Sequence, residues 1–417
     1  MSKLNLKPRG GFVGAVDVGT TKMCCFIAKV EDGEPRIVGI GHQVSKGVKN
    51  GVIVDIEAAS RSILNAVHAA EEMAGTTLSE IVINVSGGFG ASRLVKAEMA
   101  LNGREVSDQI MHRVLDQGYR IKDLPDRTLV HSIPVGFSID GGRSVRDPRG
   151  LFGQKLAVNM NIVTAQFAAV RNLSNCIGRC HLETAAVMVS PYASGLSSLV
   201  DDESELGVTV IDMGGGTTTI GVFFDGNLVY ADGVAVGGSH VTNDIARGLS
   251  TPLAHAERMK TLYGSAIASA SDEREMITVP LVGEEEDGHA NHIPKSILVG
   301  IIAPRLEETF ELVRDKLEAS GFDKITGSRV VLTGGASQLP GTRELAGLIL
   351  DKQVRIGRPF RMDGLAEATQ GPAFATTAGL IHFALSERAE LPRRGRTLTE
   401  GPNGLFGRVG NWVREYL

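Results

Sequence analysis

The feature that most constrains this chain is a strand, turn, strand unit that occurs once near the N-terminus and again near the middle. Phe12 to Val16 and Met23 to Val30 are apolar runs joined by Asp17-Val-Gly-Thr-Thr-Lys22, and Val208 to Ile211 and Ile220 to Phe224 are joined by Asp212-Met-Gly-Gly-Gly-Thr-Thr218. Each run has strand length, and each junction sets an acid at a strand end before glycines and hydroxyl residues. Such a duplication predicts two similar α/β halves whose turns face each other across a cleft.

The residue types in these turns point to a phosphate ligand. Successive backbone N–H groups form an anion-binding concavity, here around Gly19, Thr20 and Thr21 and around Gly214, Gly215, Gly216, Thr217 and Thr218. Lys22 supplies a neutralising cation, and Asp17 and Asp212 on opposed turns suit a hydrated magnesium ion. A third strand, Arg329 to Leu332, runs into Thr333-Gly-Gly-Ala-Ser-Gln338, where Gly334, Gly335 and Ala336 allow close approach to a flat adenine or a ribose. ATP with Mg2+ is therefore the expected cofactor. Neither opening turn has the Walker A pattern, so a P-loop architecture is disfavoured.

Between these turns the pattern is α/β. Ile56, Ala59, Ile63, Ala66, Ala70 and Met73 recur at helical spacing, with Asp55 as N-cap and Gly75 as stop, and the strand Ile81 to Val85 follows. From Ser86 to about Met160 glycine-rich turns surround short apolar pieces, which predicts a small inserted domain. Ile162 to Cys176 reads as a helix, Ala185 to Ser190 as a strand, and Ala193 to Leu199, Ser239 to Leu249 and Pro252 to Leu262 as helices. The acidic run through Glu284 to Asp287 reads as a solvated loop. Pro304 reads as a first-turn residue of a helix carrying Leu306, Phe310, Val313 and Leu317 and stopping at Gly321.

Charge and composition exclude other classes. Across 417 residues the formal net charge is -5, so no overall basic field calls for nucleic acid, and 42% hydrophobic residues argue against wholesale disorder. Cys24, Cys25, Cys176 and Cys180 have no spacing suited to a shared metal and read as reduced thiols. No signal peptide and no run of eighteen apolar residues is expected, so the chain reads as cytoplasmic, with any membrane attachment peripheral. Residues 387–404, with Arg388, Arg393, Arg394 and Arg396, lack apolar periodicity and read as a flexible linker. Beyond it, Leu405, Phe406, Val409, Trp412, Val413, Tyr416 and Leu417 fall within roughly 140° of a helical wheel. A helix of this kind can dock on its own core; on an arginine-bearing tether, with the sole tryptophan of the chain, it reads as a membrane-surface anchor.

Taken together, these residues resemble the actin, Hsp70 and sugar-kinase superfamily, and most closely its FtsA family of bacterial cell-division proteins. The resemblance implies an actin-like fold of two ribonuclease-H-like halves around a nucleotide cleft, with a small subdomain inserted in the first half. Its boundaries would be 11–85, 160–203 and 374–386 for core domain 1A, 86–159 for the inserted assembly subdomain 1C, 204–236 and 301–373 for core domain 2A, and 237–300 for subdomain 2B. The turn around Asp147-Pro-Arg-Gly150 marks the inserted subdomain, and Pro191 to Leu199 and Ala375 to Leu380 resemble the connecting helices. The same resemblance puts Glu257 and Lys260 at the nucleoside and Arg305 on a surface for the C-terminal tail of FtsZ. It leaves Gln166 as the residue to test for catalysis. It implies a protein that polymerises on the cytoplasmic face of the inner membrane at the division septum. There it would anchor FtsZ filaments and recruit later division proteins, with weak ATPase activity at most. The alternatives are a small-molecule kinase with the same core and a soluble chaperone-like nucleotide switch.

Overall fold

A computed structural model of the chain describes residues 11–31, 34–88, 90–119, 126–283, 290–325, 327–360 and 362–385. The membrane-helix residues and the linker expected from sequence lie outside these residues, as does the acidic run at 284–287. The first half opens with the meander β1 (Phe12–Val18), β2 (Lys22–Glu31) and β3 (Glu34–Val44), a small hairpin of β4 (Val48–Lys49) and β5 (Val52–Ile53), α1 (Ile56–Ala74) and β6 (Glu80–Val85). Next come β7 (Arg93–Ala100), α2 (Asp108–Tyr119), β8 (Arg127–Ile139) and β9 (Lys155–Gln166). The half then resumes with α3 (Phe167–Arg179), β10 (Glu183–Val189), α4 (Ser190–Ser198) and α5 (Asp201–Leu206).

The second half repeats the plan. Its meander is β11 (Val208–Met213), β12 (Thr218–Phe224) and β13 (Asn227–Val234), followed by α6 (Gly238–Gly248), α7 (Leu253–Tyr263) and the hairpin β14 (Met276–Pro280) and β15 (Ala290–Pro294). It ends with α8 (Lys295–Ser320), β16 (Arg329–Thr333), α9 (Thr342–Leu350), β17 (Gln353–Ile356) and α10 (Ala375–Leu385). The sheets have matching orders, β3-β2-β1-β6-β10 and β13-β12-β11-β16-β17, each an antiparallel meander continued by parallel strands. β1 and β11 are the middle strands, covered on both faces, which is why they read as unbroken apolar runs.

Local chemistry sets the element ends. The Asp55 carboxylate accepts from the Glu57 and Ala58 N–H groups, both at 3.0 Å, and Gly75 closes α1 in the left-handed region at φ 63°, as the sequence predicted. Two expectations need correction. Ile162 to Gln166 is the end of β9, not helix: it pairs with β8 out to Gln166 opposite Arg127, and its Ile, Val and Thr residues suit that ladder, so α3 begins only at Phe167. Pro304 lies in the interior of α8, whose first turns bury Leu298, Val299 and Ile302 against the second core. Tertiary burial there outweighs the lost backbone hydrogen bond.

The inserted sheet, β7-β9-β8 with α2 on it, has its own small core around Leu101, Val114, Leu156 and Met160. It also grips the second half. Ser92 and Ala231 exchange two hydrogen bonds of 2.8 Å, Asn161 Nδ2 donates to the Leu228 carbonyl at 2.9 Å, and Arg146 pairs with Asp225 at 2.6 Å. The halves are further joined where α4 crosses α10. Gly379 sits so near α4 that a Cβ there would lie 1.7 Å from the Ala193 carbonyl oxygen, so only glycine permits this approach.

Candidate nucleotide site

The three glycine turns, which leave the C-terminal ends of β1, β11 and β16, line one cavity of about 460 Å³. That is the place where parallel α/β sheets present ligand sites, because backbone donors gather at strand ends. The β1–β2 turn is closed by Gly19 N–H to the Lys22 carbonyl at 3.1 Å, and the β11–β12 turn by Gly214 N–H to the Thr217 carbonyl at 2.8 Å.

The two turns touch. A Cβ at Gly215 would come within 2.4 Å of the Thr21 methyl, and one at Gly216 within 2.5 Å of the Thr20 hydroxyl and 2.8 Å of the Asn50 backbone. The close backbone approach that the sequence expects of these glycines is used in the fold by the opposing turn, while Gly214 and Gly215 also line the cavity. Thr20 Oγ1 accepts from Gly51 N–H at 2.9 Å, so the β4–β5 hairpin braces the same contact. The second turn also seats α6, since Gly238 and Ser239 donate their N–H groups to the Gly214 and Gly215 carbonyls at 3.0 and 2.7 Å.

Asp17 and Asp212 both face the cavity and are both buried, at 8% and 7% exposure. Burial pushes the Asp17 carboxyl up to about 6 from its usual 3.8; Asp212 adds to the rise, while Lys22 and the hydrogen bond from Asn84 oppose it. Burial also raises Asp212, against hydrogen bonds from Ser194 and Thr376 and the charge of Lys22. The partners differ in kind. Asn84 Nδ2 donates to Asp17 at 2.7 Å, whereas Asp212 Oδ2 accepts from the hydroxyls of Ser194 on α4 and of Thr376 on α10, the latter at 2.9 Å.

Of the remaining expected residues, Thr217, Gly334, Gly335 and Ala336 line the cavity, as do Glu257 and Lys260 from α7. Lys260 Nζ donates to Glu257 at 2.7 Å, to Thr242 at 2.9 Å and to the Gly238 carbonyl at 3.2 Å, which ties α7 to the start of α6. Gly334, at φ 86°, leaves no room for a side chain, because a Cβ would lie 2.4 Å from Asp212 Oδ1.

Four expected residues are not among those that line the cavity, and the first, Gly216, faces Thr20 and Asn50 of the opposing half instead. Thr218 is fully buried behind the turn, its hydroxyl donating to the Val236 carbonyl at 2.9 Å. Gln166 ends β9 on the exposed surface, its N–H bonded to the Gly88 carbonyl at 2.8 Å, and is not among the cavity-lining residues; the strand displaces it from the helical position expected. Arg305 lies outside the cavity lining, paired with Asp244 at 2.5 Å and with Glu308.

Sequence reading missed several contributors. Asn84, Ser190, Thr219 and Thr376 line the cavity, and Asn84 and Thr376 had only the weak signal of a polar residue inside an apolar run. The segment Pro372 to Thr376, of which the sequence marked only the start of a connecting helix at Ala375, reaches all three turns. The Pro372 carbonyl accepts from Gly334 N–H at 3.2 Å and from the Thr333 hydroxyl at 3.3 Å, Ala373 accepts from Lys22, and Thr376 holds Asp212.

A duplicated meander sheet, joined by crossed helices and with acid and glycine turns converging on one cavity, defines an actin-like nucleotide-binding protein. Among solved structures, the chain of a PilM-PilN type IV pilus biogenesis complex superposes with a TM-score of 0.63 at 17% identity, covering 91% of this chain and 100% of that one. MreB5 of Spiroplasma citri bound to ADP gives 0.52 at 14% identity, covering 90% and 97%. These likenesses show the fold. Residues 209–379 match the family "Cell division protein FtsA", and residues 89–164 match "SHS2 domain inserted in FTSA". Cell division protein FtsA of Rhizobium meliloti is 45% identical over 98% of this chain and 97% of its own. The chain belongs to the FtsA family of bacterial cell-division proteins, within the actin and Hsp70 superfamily. That membership sets aside the small-molecule kinase and the chaperone-like switch.

Proposed function

We propose that this chain is a nucleotide-dependent membrane scaffold of cell division, binding ATP and Mg2+ between its halves and using the bound state to govern assembly. The observation that carries the reading is the convergence of three glycine turns and two buried carboxylates on one cavity. Asp17 and Asp212 fit the metal by their chemistry: burial raises the proton affinity of both carboxylates despite the charge of Lys22, and a divalent cation would offset that cost of desolvation. Among the described residues no group of three or more His, Cys, Asp or Glu is placed to hold a metal, so the ion would keep waters and phosphate oxygens as ligands, as magnesium commonly does. When bound, it would neutralise phosphate charge.

The residues of the chain divide the remaining work. Backbone N–H groups of the turns at Gly19 to Thr21 and Gly214 to Thr217 receive phosphates, Lys22 neutralises them, and Glu257 and Lys260 meet the nucleoside where Gly334 to Ala336 lie close. A ligand touching turns from both halves fixes the angle between them, which is the switch. Turnover is weak at most, as the family implies, and Gln166, outside the cavity lining, does not orient a water there.

Filaments of this protein would lie on the cytoplasmic face of the inner membrane at the septum, recruiting later division proteins. Each subunit would be held by the helix at 405–417 and would tether the FtsZ C-terminal tail near Arg305. Among the described residues no helix is long and apolar enough to cross a membrane. Arg305 must exchange Asp244 or Glu308 for a carboxylate of the tail, so an arginine-to-carboxylate swap is the contact to probe. Because one short helix buries little apolar area, stable attachment follows from many anchors on one polymer. Co-sedimentation with anionic vesicles, with and without residues 405–417 and with and without Mg-ATP, tests the reading. Vesicle binding that needs both the helix and the nucleotide supports it; binding indifferent to both overturns it.

A further inference from the structure

Lys22 ends the first phosphate turn, and its side chain is not free in the cavity. Its ammonium lies 3.5 Å from the centroid of the Phe374 ring and donates to the Ala373 carbonyl at 2.6 Å. The ring is itself held, stacked on Phe26 with centroids 6.1 Å apart and 12° between planes, and met edge-on by His42 at 6.2 Å. A lysine on its flexible stem otherwise samples many rotamers, and ordering it costs entropy each time an anion binds. Here one donor is committed to a carbonyl and the positive charge rests on a π face, leaving the other donors for an anion that enters the cavity both Lys22 and Ala373 line.

We infer that Phe374 is a positioning residue for phosphate recognition: with the Ala373 carbonyl it forms a seat that fixes the Lys22 ammonium at the cavity wall before the ligand arrives. The inference deepens the proposed function and rests on it, since only a phosphate ligand calls for the cation. The seat belongs to the segment that also receives Gly334 and the Thr333 hydroxyl and that leads directly into α10. What Lys22 feels is thereby shared with the helix that holds Asp212.

Calorimetry on the full chain, titrating Mg-ATP and separately adenosine, tests it. Phe374→Leu is expected to weaken Mg-ATP about fivefold, the size of one partly desolvated cation–π contact, and to leave adenosine within about twofold. Phe374→Tyr should restore the affinity, and in a Lys22→Met background Phe374→Leu should have no further effect. Equal weakening of adenosine and Mg-ATP, no weakening of either, or failure of Phe374→Tyr to restore overturns the inference while leaving the site reading intact. A wild-type protein that binds Mg-ATP no better than adenosine overturns both, because no phosphate is then being recognised.

Discussion

The two opposed turns end equivalent strands, in equivalent sheets, yet differ in how each keeps its acid. In the first half Asp17 leans on the amide of Asn84, a neighbour in the same sheet, and the turn closes with a cation, Lys22. In the second half Asp212 receives hydroxyls from both crossing helices, and its turn has no cation, only glycines pressed against Thr20 and Thr21. Across from Asp17 in the hairpin stands Cys24, deep in the core, while across from Asp212 stands Thr219, which lines the cavity. One backbone plan thus carries charge on one side and close approach on the other. The difference teaches that ligand affinity should be set by the first turn and closure by the second.

The largest effect expected from breaking this division comes from the second turn. Gly216→Val forces its Cβ into Thr20 and Asn50 and pries the turns apart, at an overpacking cost of about 3 kcal/mol or more, so Mg-ATP affinity should fall about a hundredfold. Calorimetry measures the loss, and an unchanged circular dichroism spectrum shows that the halves still fold. If Gly216→Val binds normally, the turns do not have to meet and the division of labour is wrong.

Next in size is the asymmetry in acid. His131 of the inserted sheet is buried against Tyr192 and Phe383, accepts Val189 N–H on Nε2 at 3.0 Å, and is driven down to about 3 by burial. Its folded form resists protonation while the unfolded chain takes up a proton near the usual 6.5. Stability is therefore present above pH 6.5 and is lost as pH falls toward 3, by about 3 kcal/mol near pH 4. His131 holds the Val189 amide of β10, so acid should loosen the first half, an effect that Asp17 partly offsets as it takes up a proton over the same range. Hydrogen exchange at pH 7 and pH 4.5 would report it; equal loss of protection in both sheets would remove His131 as the cause.

How much of this was legible follows from where partners sit along the chain. Both acids, the glycine turns and the caps of α1 are local patterns, and sequence displays them directly. The partners of those acids are not local: Asn84, Ser194 and Thr376 come from distant strands and helices, and a single polar residue in an apolar run has many structural uses. Ile162 to Gln166 was misread because an apolar stretch suits helix or strand alike until its ladder partners are known. The seat under Lys22 was invisible for the same reason, since Ala373 and Phe374 carry no motif and matter only through the fold that returns them to the first turn.

A smaller test separates charge from desolvation within the first turn. Asp17 is costly to keep ionised: its folded carboxyl titrates near about 6 against 3.8, so at pH 7 burial withholds about 3 kcal/mol of stability, a deficit that vanishes below pH 3.8. Asp17→Asn should raise stability at pH 7 by up to that amount in denaturant unfolding without nucleotide, while weakening magnesium-dependent binding. A stabilised variant that still binds Mg-ATP with native magnesium dependence would assign the ion to Asp212 alone.

The smallest expected effect compares the cation of one turn with the hydroxyl of the other. Lys22→Met should weaken Mg-ATP about tenfold and flatten its dependence on salt, because a partly buried ammonium on a polyphosphate is a charge-assisted contact of a few kcal/mol at most. Thr217→Ala removes one neutral hydroxyl from the cavity wall and should cost only about threefold to fivefold, with the salt dependence unchanged. The informative quantity is the slope of affinity against ionic strength rather than either affinity alone. If both variants shift the slope equally, the second turn carries charge recognition too, and the asymmetry between the halves is one of shape and not of electrostatics.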